Sequence, residues 1–288
     1  MLRASAGLDA PKSSCVPETC VLRARVFSAV VGIGAVLLAV FALDSRGFAV
    51  AAALVMVAGA WEWAALLGWR GTARVGYLAW ILAGIGGAGW LLTQGRGLPL
   101  FVAAALWWVA ALVLLARWDP QRPVGRWTLA LAGFLGLVPA WAALVWLHLL
   151  GPMWLMYLFG LVWVADSAAY FIGRSFGRRR LAPALSPGKT LEGLWGALAV
   201  VAAYAGLVAW WLRFGAVDGV YFVLLGLLAA MVSVEGDLVE SMLKRRSGAK
   251  DSGRLIPGHG GALDRIDSLL AAAPVFVLGL QGLSRPLP

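Results

Sequence analysis

Residues 98–116 read LPLFVAAALWWVAALVLLA, 19 positions without one ionisable side chain. As a helix this segment is about 28 Å long at 1.5 Å per residue, close to the roughly 30 Å hydrocarbon thickness of a bilayer. Comparable runs recur along the chain, near 26–43, 48–67, 75–93, 98–116, 128–149, 152–172, 191–213, 219–236 and 268–283. Over 288 residues the hydrophobic fraction is 61% and the mean hydropathy +0.84, against roughly 45–50% apolar residues in a soluble domain. The expected fold is all-α: a polytopic integral membrane helical bundle of about nine transmembrane helices. Lipid admits only helices or closed barrels as spanning structures, and runs this long lack the alternation of a barrel.

Charge placement gives the expected orientation. The net charge is +10, which invites a nucleic-acid reading. With the N-terminus in the cytoplasm, however, 20 of the 24 Lys and Arg fall in inside segments. The positive-inside rule accounts for that bias, so no nucleic-acid partner is needed. Three regions follow: a polar tail, 1–22, expected to be disordered; N-terminal transmembrane helices, 23–150; and a C-terminal transmembrane region, 151–288, with cytoplasmic loops at 173–190 and 244–267. Cys15 and Cys20 form a lone C-x4-C pair in the tail, a poor zinc site, and read as free thiols. The first span reads as an uncleaved signal-anchor. The many tryptophans read as interfacial anchors. Glu62, inside the second span, is either part of a polar pathway or an interhelical hydrogen bond; the sequence leaves both open. His148 reads as interfacial rather than as a ligand.

The ionisable groups collect in two places. The first is WVADSAAYFIGRSFGRRRLAPALSPGKTLEGLWGA, beginning at Trp163 and containing Asp166. Its Gly188-Lys189-Thr190 triplet lacks the preceding strand and second glycine of a P-loop. A helix N-terminus with Lys189 and Thr190 remains, a reasonable anion site. The second is 244–267, KRRSGAKDSGRLIPGHGGALDRID, where 9 of 24 residues are charged. Asp237 and Glu240 precede it at i, i+3, and share a face with Ser241 if the helix continues. Lys244, four residues after Glu240, allows that acid a plain surface ion pair. Asp264 and Asp267 close the loop with the same spacing. Two carboxylate pairs joined by a glycine-rich basic loop suit Mg²⁺ and phosphate oxygens. Gly258 to Gly261 could turn backbone N–H groups toward an anion. His259 could bind phosphate, move a proton or make a structural bond. The coincidence points to metal-assisted phosphoryl transfer on a lipid.

Ser241-x-Leu243-Lys244-Arg245, Lys250-Asp251, Pro257-x-His259-Gly260-Gly261 and Asp264-Arg265-Ile266-Asp267 resemble the signature of phosphatidate cytidylyltransferases (CDP-diacylglycerol synthases). Gly236-Asp237-Leu238 and the segment with Asp166, Ser186-Pro187, Lys189-Thr190 and Glu192-Gly193 are similar to that family too; the first half agrees only in hydropathy. Ala262 departs from the pattern, which usually has a bulkier aliphatic there. The resemblance implies a bacterial inner-membrane enzyme, its site facing the cytoplasm, that makes CDP-diacylglycerol and pyrophosphate from CTP and phosphatidic acid among membrane lipids. It implies Mg²⁺ with a second cation, Mg²⁺ or K⁺, and a homodimer. Carried onto this chain, Asp237 and Asp264 are the first metal-ligand candidates, with Asp267 and Asp251 next. Asp237, Asp264, Lys250 and His259 are the expected catalytic set. Lys189, Thr190, Ser186, Lys244, Arg245, Arg265, Gly260 and Gly261 would bind CTP or lipid phosphate. Within enzymes the competing reading is a cytidylyltransferase acting on another lipid phosphate. Outside them it is an ion-coupled transporter, for which the expected inverted repeat is not seen.

Overall fold

A computed structural model describes residues 18–119, 124–253 and 260–283, with side chains from Val30 onward. Among these residues there are nine helices: α1 (Glu18–Ala42), α2 (Ser45–Leu66), α3 (Gly71–Thr93), α4 (Leu98–Ala116), α5 (Arg126–Leu150), α6 (Pro152–Phe176), α7 (Leu191–Trp211), α8 (Ala216–Ser247) and α9 (Leu263–Leu280). Every predicted span is helical. Seven of the helices, α2 to α8, are long and apolar enough to cross a membrane. The described apolar part of α1 is the shorter Val30–Ala42. In α9, three charged residues, Asp264, Arg265 and Asp267, occupy the first two turns.

The apolar surface is divided by position, as a lipid-solvated bundle requires. Leu54, Leu106, Val109 and Trp210 are exposed and have no protein neighbour to cover them. In α5 and α9 burial runs around the whole helix, from Leu129 to His148 and from Leu263 to Leu280. These two form the centre against which α2, α3, α4, α6 and α8 pack. Tyr157 of α6, Phe222 of α8 and Phe276 of α9 stack into one aromatic cluster, with centroids 4.8 Å and 5.3 Å from Tyr157.

Some polar residues in these helices serve packing where the sequence suggested otherwise. The tryptophans do not all anchor the interface. Trp63 and Trp141 are buried, and their indole N–H groups donate to Leu129 O and Ala49 O, at 2.9 Å each. His148 is buried as well, stacked on Phe48 at 4.4 Å. Its ring nitrogens lie 3.1 Å from Ser45 Oγ and from Val40 O, so it joins three helices and is not placed as a ligand.

Two features position the polar region. First, α8 has 32 residues, about 48 Å at 1.5 Å per residue, well beyond the roughly 30 Å of hydrocarbon. Its last turns, with Asp237, Glu240 and Lys244, therefore exceed the length that a membrane crossing from its N-terminal end requires. The basic last turn, Lys244 to Arg246, suits the negative end of the helix dipole. Second, the segment after α6 is an antiparallel hairpin, β1 (Arg180–Ala182) with β2 (Ser186–Thr190), where the sequence reading expected a loop with no strand before Gly188-Lys189-Thr190. Glu192 fastens it by accepting from the Arg178 N–H at 3.0 Å and the Arg179 N–H at 3.1 Å.

Close approach of α8 and α9 occurs at Gly236. A Cβ there would overlap the carbonyl oxygen of Asp267 and lie 3.1 Å from the Ala271 Cβ. Gly236→Val should force the two helices apart, lowering stability by about 1–3 kcal/mol and separating Asp237 from Asp267. Thermal unfolding in detergent should show the lower midpoint; an unchanged midpoint would mean that the contact is not tight.

Candidate functional site

The site grows from that contact. Asp237, next to Gly236, and Glu240 one turn on face Asp267 across the helix pair. One carboxylate oxygen from each of the three lies within 4.8 Å of the other two. Asp237 and Asp267 were both expected as metal ligands, and the structure brings them together. Glu240 completes the group although its spacing to Lys244 also allowed a surface pair. It is buried, and its Oε1 has no hydrogen-bond partner among the described residues. A buried carboxylate oxygen with no donor is costly, and oxygen donors at this spacing suit a divalent cation.

Two lysines flank the group. Lys189 Nζ is 2.6 Å from Asp237 Oδ2. It is delivered by β2, whose end leads into α7 through Thr190, the N-cap residue: Thr190 Oγ1 accepts from the Gly193 N–H at 3.1 Å. Thr190 is thus occupied as a cap. Lys244 Nζ lies between Glu240 Oε2, at 2.5 Å, and Asp264 Oδ1, at 2.8 Å. A cleft of about 360 Å³ opens beside Lys189, lined by Asp166, Tyr170, Ser186, Gly188, Thr190 and Asp237.

Asp264 stands next to the carboxylate group without joining it. Its Oδ2 accepts from the Ser252 N–H at 3.1 Å, Ser252 Oγ at 2.8 Å and the Gly261 N–H at 2.8 Å, while Oδ1 takes Lys244. Gly261 therefore spends its N–H on Asp264. Burial alone would raise the Asp264 carboxyl, but the bonds from Lys244 and Gly261 outweigh it and hold the group well below the usual carboxylate range.

The remaining expected residues are spread more widely. Lys250 and Asp251 are exposed at the start of the loop. Gly260 has φ +84, the left-handed region that favours glycine. Arg265 is exposed on α9. Arg245 donates to Leu185 O at 3.1 Å and borders a different cleft, of about 380 Å³, with Arg246, Trp118 and Asp119. His259 lies outside the described residues.

Together these features define a class: a polytopic membrane protein whose long helices carry carboxylates and lysines, beside a cleft, out of the hydrocarbon. Comparison with known proteins supplies the family. The Cytidylyltransferase family profile matches residues 23–282. A phosphatidate cytidylyltransferase of Pseudomonas aeruginosa is 42% identical over 260 residues, covering 88% of this chain and 95% of the relative. One from Haemophilus influenzae is 38% identical over 283 residues, covering 88% and 97%, and one from Brucella suis 38% over 263 residues, covering 89% and 92%. The chain belongs to the cytidylyltransferase family.

A carboxyl held low in the folded protein contributes stability above its unfolded pKa, about 3.9 for Asp, and loses it as pH falls toward the folded value. Asp264→Asn should therefore lower the thermal midpoint at pH 7 and flatten its fall in acid. A variant with the wild-type midpoint and the same acid dependence would remove Asp264 from this role.

Proposed function

We propose that the chain transfers the cytidylyl group of CTP to phosphatidic acid, giving CDP-diacylglycerol and pyrophosphate. The observation that carries this reading is the group Asp237, Glu240 and Asp267, flanked by Lys189 and Lys244 and opening on a cleft at the end of α8. Divalent cation, triphosphate and a membrane-bound phosphate can meet at such a place. Family membership and the names of the relatives support it.

In this reading Asp237, Glu240 and Asp267 hold Mg²⁺, which when bound offsets negative charge on the phosphate oxygens. A second cation, Mg²⁺ or K⁺, belongs to the same proposal. Lys189 exchanges its bond to Asp237 for a phosphate oxygen of CTP in the cleft, with Ser186 at the wall. Arg245, Lys250 and Arg265, all exposed near the same rim, attract the anionic substrates. Lys244 keeps Glu240 oriented between substrate and loop. An oxygen of the phosphatidate phosphate attacks the α-phosphorus. The bond from that phosphorus to the bridging oxygen breaks, and its electron pair leaves on pyrophosphate. The attacking monoester is already ionised near neutral pH, so no residue need remove a proton. Positioning and charge complementarity carry the rate.

The same proposal places the protein in a bacterial inner membrane with this rim in the cytoplasm, and includes the homodimer. Residue 247 is exposed just past the acids. With Cys15 and Cys20 replaced by serine, Ser247→Cys should resist an impermeant maleimide in intact cells and react after permeabilisation; labelling from outside would invert the orientation.

Purified protein given radiolabelled CTP, phosphatidic acid and Mg²⁺ should form a CDP-lipid and lose that activity with EDTA. Product with another lipid phosphate alone would change the acceptor, and no product with any would sink the enzyme reading. Lys189→Ala should lower kcat by about 100- to 1,000-fold, the range for loss of one preorganised charge-stabilising group.

A further inference from the structure

Helix α9 begins without a cap of its own. Its N-cap residue is Ala262, which makes no side-chain bond to the free N–H groups of the first turn. Those groups need acceptors when buried, and Leu263 is fully buried. The acceptor comes from the other half of the chain: Glu62 Oε2, on α2, takes the Leu263 N–H at 2.8 Å. The same oxygen is 3.0 Å from Ser252 Oγ; that hydroxyl has one hydrogen to share between Glu62 and Asp264 Oδ2, while the Ser252 N–H, 3.1 Å from Oδ2, holds Asp264 in either case.

The surroundings are shaped for this carboxylate. A Cβ on Gly253 would overlap Glu62 Oε1, and a Cβ on Gly261 would overlap Oε2. Both ends of the described loop therefore close onto Glu62. One turn earlier on α2, Gly59 lets α9 approach: a Cβ there would lie 3.1 Å from Ile266 Cδ1 and 3.7 Å from Leu263 Cδ1. Glu62 itself is only 3% exposed, and its Oε1 has no partner among the described residues. A buried acid of this kind is destabilising for packing alone.

We infer that Glu62 is a positioning residue for the cytidylyl transfer, an inference that rests on the proposed activity. It fixes the start of α9 and the Ser252 hydroxyl. Ser252 holds Asp264, Asp264 holds Lys244, and Lys244 holds Glu240 of the carboxylate group. The path crosses from the N-terminal helices to the site entirely through side chains and two backbone N–H groups. Glu62 touches neither nucleotide nor lipid in this arrangement; it acts through Ser252 and Leu263.

Full-length protein in detergent tests it with three variants. Glu62→Ala removes the acceptor. Glu62→Gln keeps an oxygen for the Leu263 N–H in a side chain of the same size. Ser252→Ala leaves the bond from Glu62 to Leu263 and the backbone N–H of residue 252 on Asp264 but removes the hydroxyl that ties that segment to Glu62, so it serves even if Glu62→Ala does not fold. Amide hydrogen exchange in the peptide beginning at Gly260, measured without CTP, lipid or metal, should be faster in Glu62→Ala and close to wild type in Glu62→Gln. In assays with CTP and phosphatidic acid, Glu62→Ala and Ser252→Ala should lower kcat by about 10- to 100-fold, as for residues that orient a metal site from behind. KM for CTP should change little, and Glu62→Gln should recover most of the loss. Wild-type exchange in Glu62→Ala, wild-type kcat in Ser252→Ala, or no recovery with Glu62→Gln would each overturn the inference. If the wild-type chain is inactive on every lipid phosphate, the proposed activity fails and the inference with it, while exchange still reports whether Glu62 holds α9.

Discussion

Lys244 sits between two carboxylates at the end of an apolar helix, 2.5 Å from Glu240 and 2.8 Å from Asp264. Its ammonium is the physical link between the carboxylate group and the loop. Without it, Glu240 would face Asp267 and Asp237 with only Lys189, paired to Asp237, as a nearby cation, and Asp264 would keep only its N–H and hydroxyl donors. Desolvating three charges is unfavourable in itself, and breaking such a set by removing one partner typically costs about 3–5 kcal/mol. An apolar replacement could pack here at lower cost. The ionic arrangement is better understood as a geometric device, since it admits only one relative placement of α8, the loop and α9.

The bilayer explains where that device can stand. Inside the hydrocarbon, several acids and two lysines would require water or each other at every position. The length of α8 resolves the problem, because its apolar two-thirds span and its polar end projects. Close approach at Gly236 then matters more than it would in a soluble bundle. The backbone contact of the two helices at Gly236 sets the separation of Asp237 and Asp267. Hairpin β1–β2 adds Lys189 from a third direction, and Glu192 anchors that hairpin to the first turn of α7.

Legibility in the sequence followed the range of the interactions. Spans were readable because hydropathy is a local sum, and the predicted segments are all helical. Asp237 and Asp267 were readable as metal-ligand candidates in two separate i, i+3 pairs, with Glu240 and with Asp264, and the structure brings the two together across those pairs. Glu240 was ambiguous because an i, i+4 lysine looks the same whether exposed or buried; burial by α9 decides it. For Asp264, the metal-ligand expectation carried no sign of the four donors that converge on it from residues 244, 252 and 261. Glu62 could have been either a pathway acid or a hydrogen-bond acceptor. Its partner Leu263 is 201 residues away, and no periodicity connects them. The hairpin escaped because strands of three and five residues, the second holding Pro and Gly, carry no alternating apolar pattern.

Glu62 also bears on why the N-terminal helices, which the family profile covers from residue 23, are part of the same molecule. If they merely anchored the site, any apolar packing against α9 would suffice, and a buried acid would be the worst choice at the contact. What α9 needs there is an acceptor for an N–H group that Ala262 cannot satisfy, at the end where Asp264 must be held. Water cannot supply it, because Leu263 and Gly261 are buried. An acid on a neighbouring helix can, provided glycines stand where the loop passes it, and Gly253 and Gly261 do. The N-terminal half thus contributes one polar atom to the site as well as apolar surface, and the fold is organised so that this atom arrives at the first turn of α9.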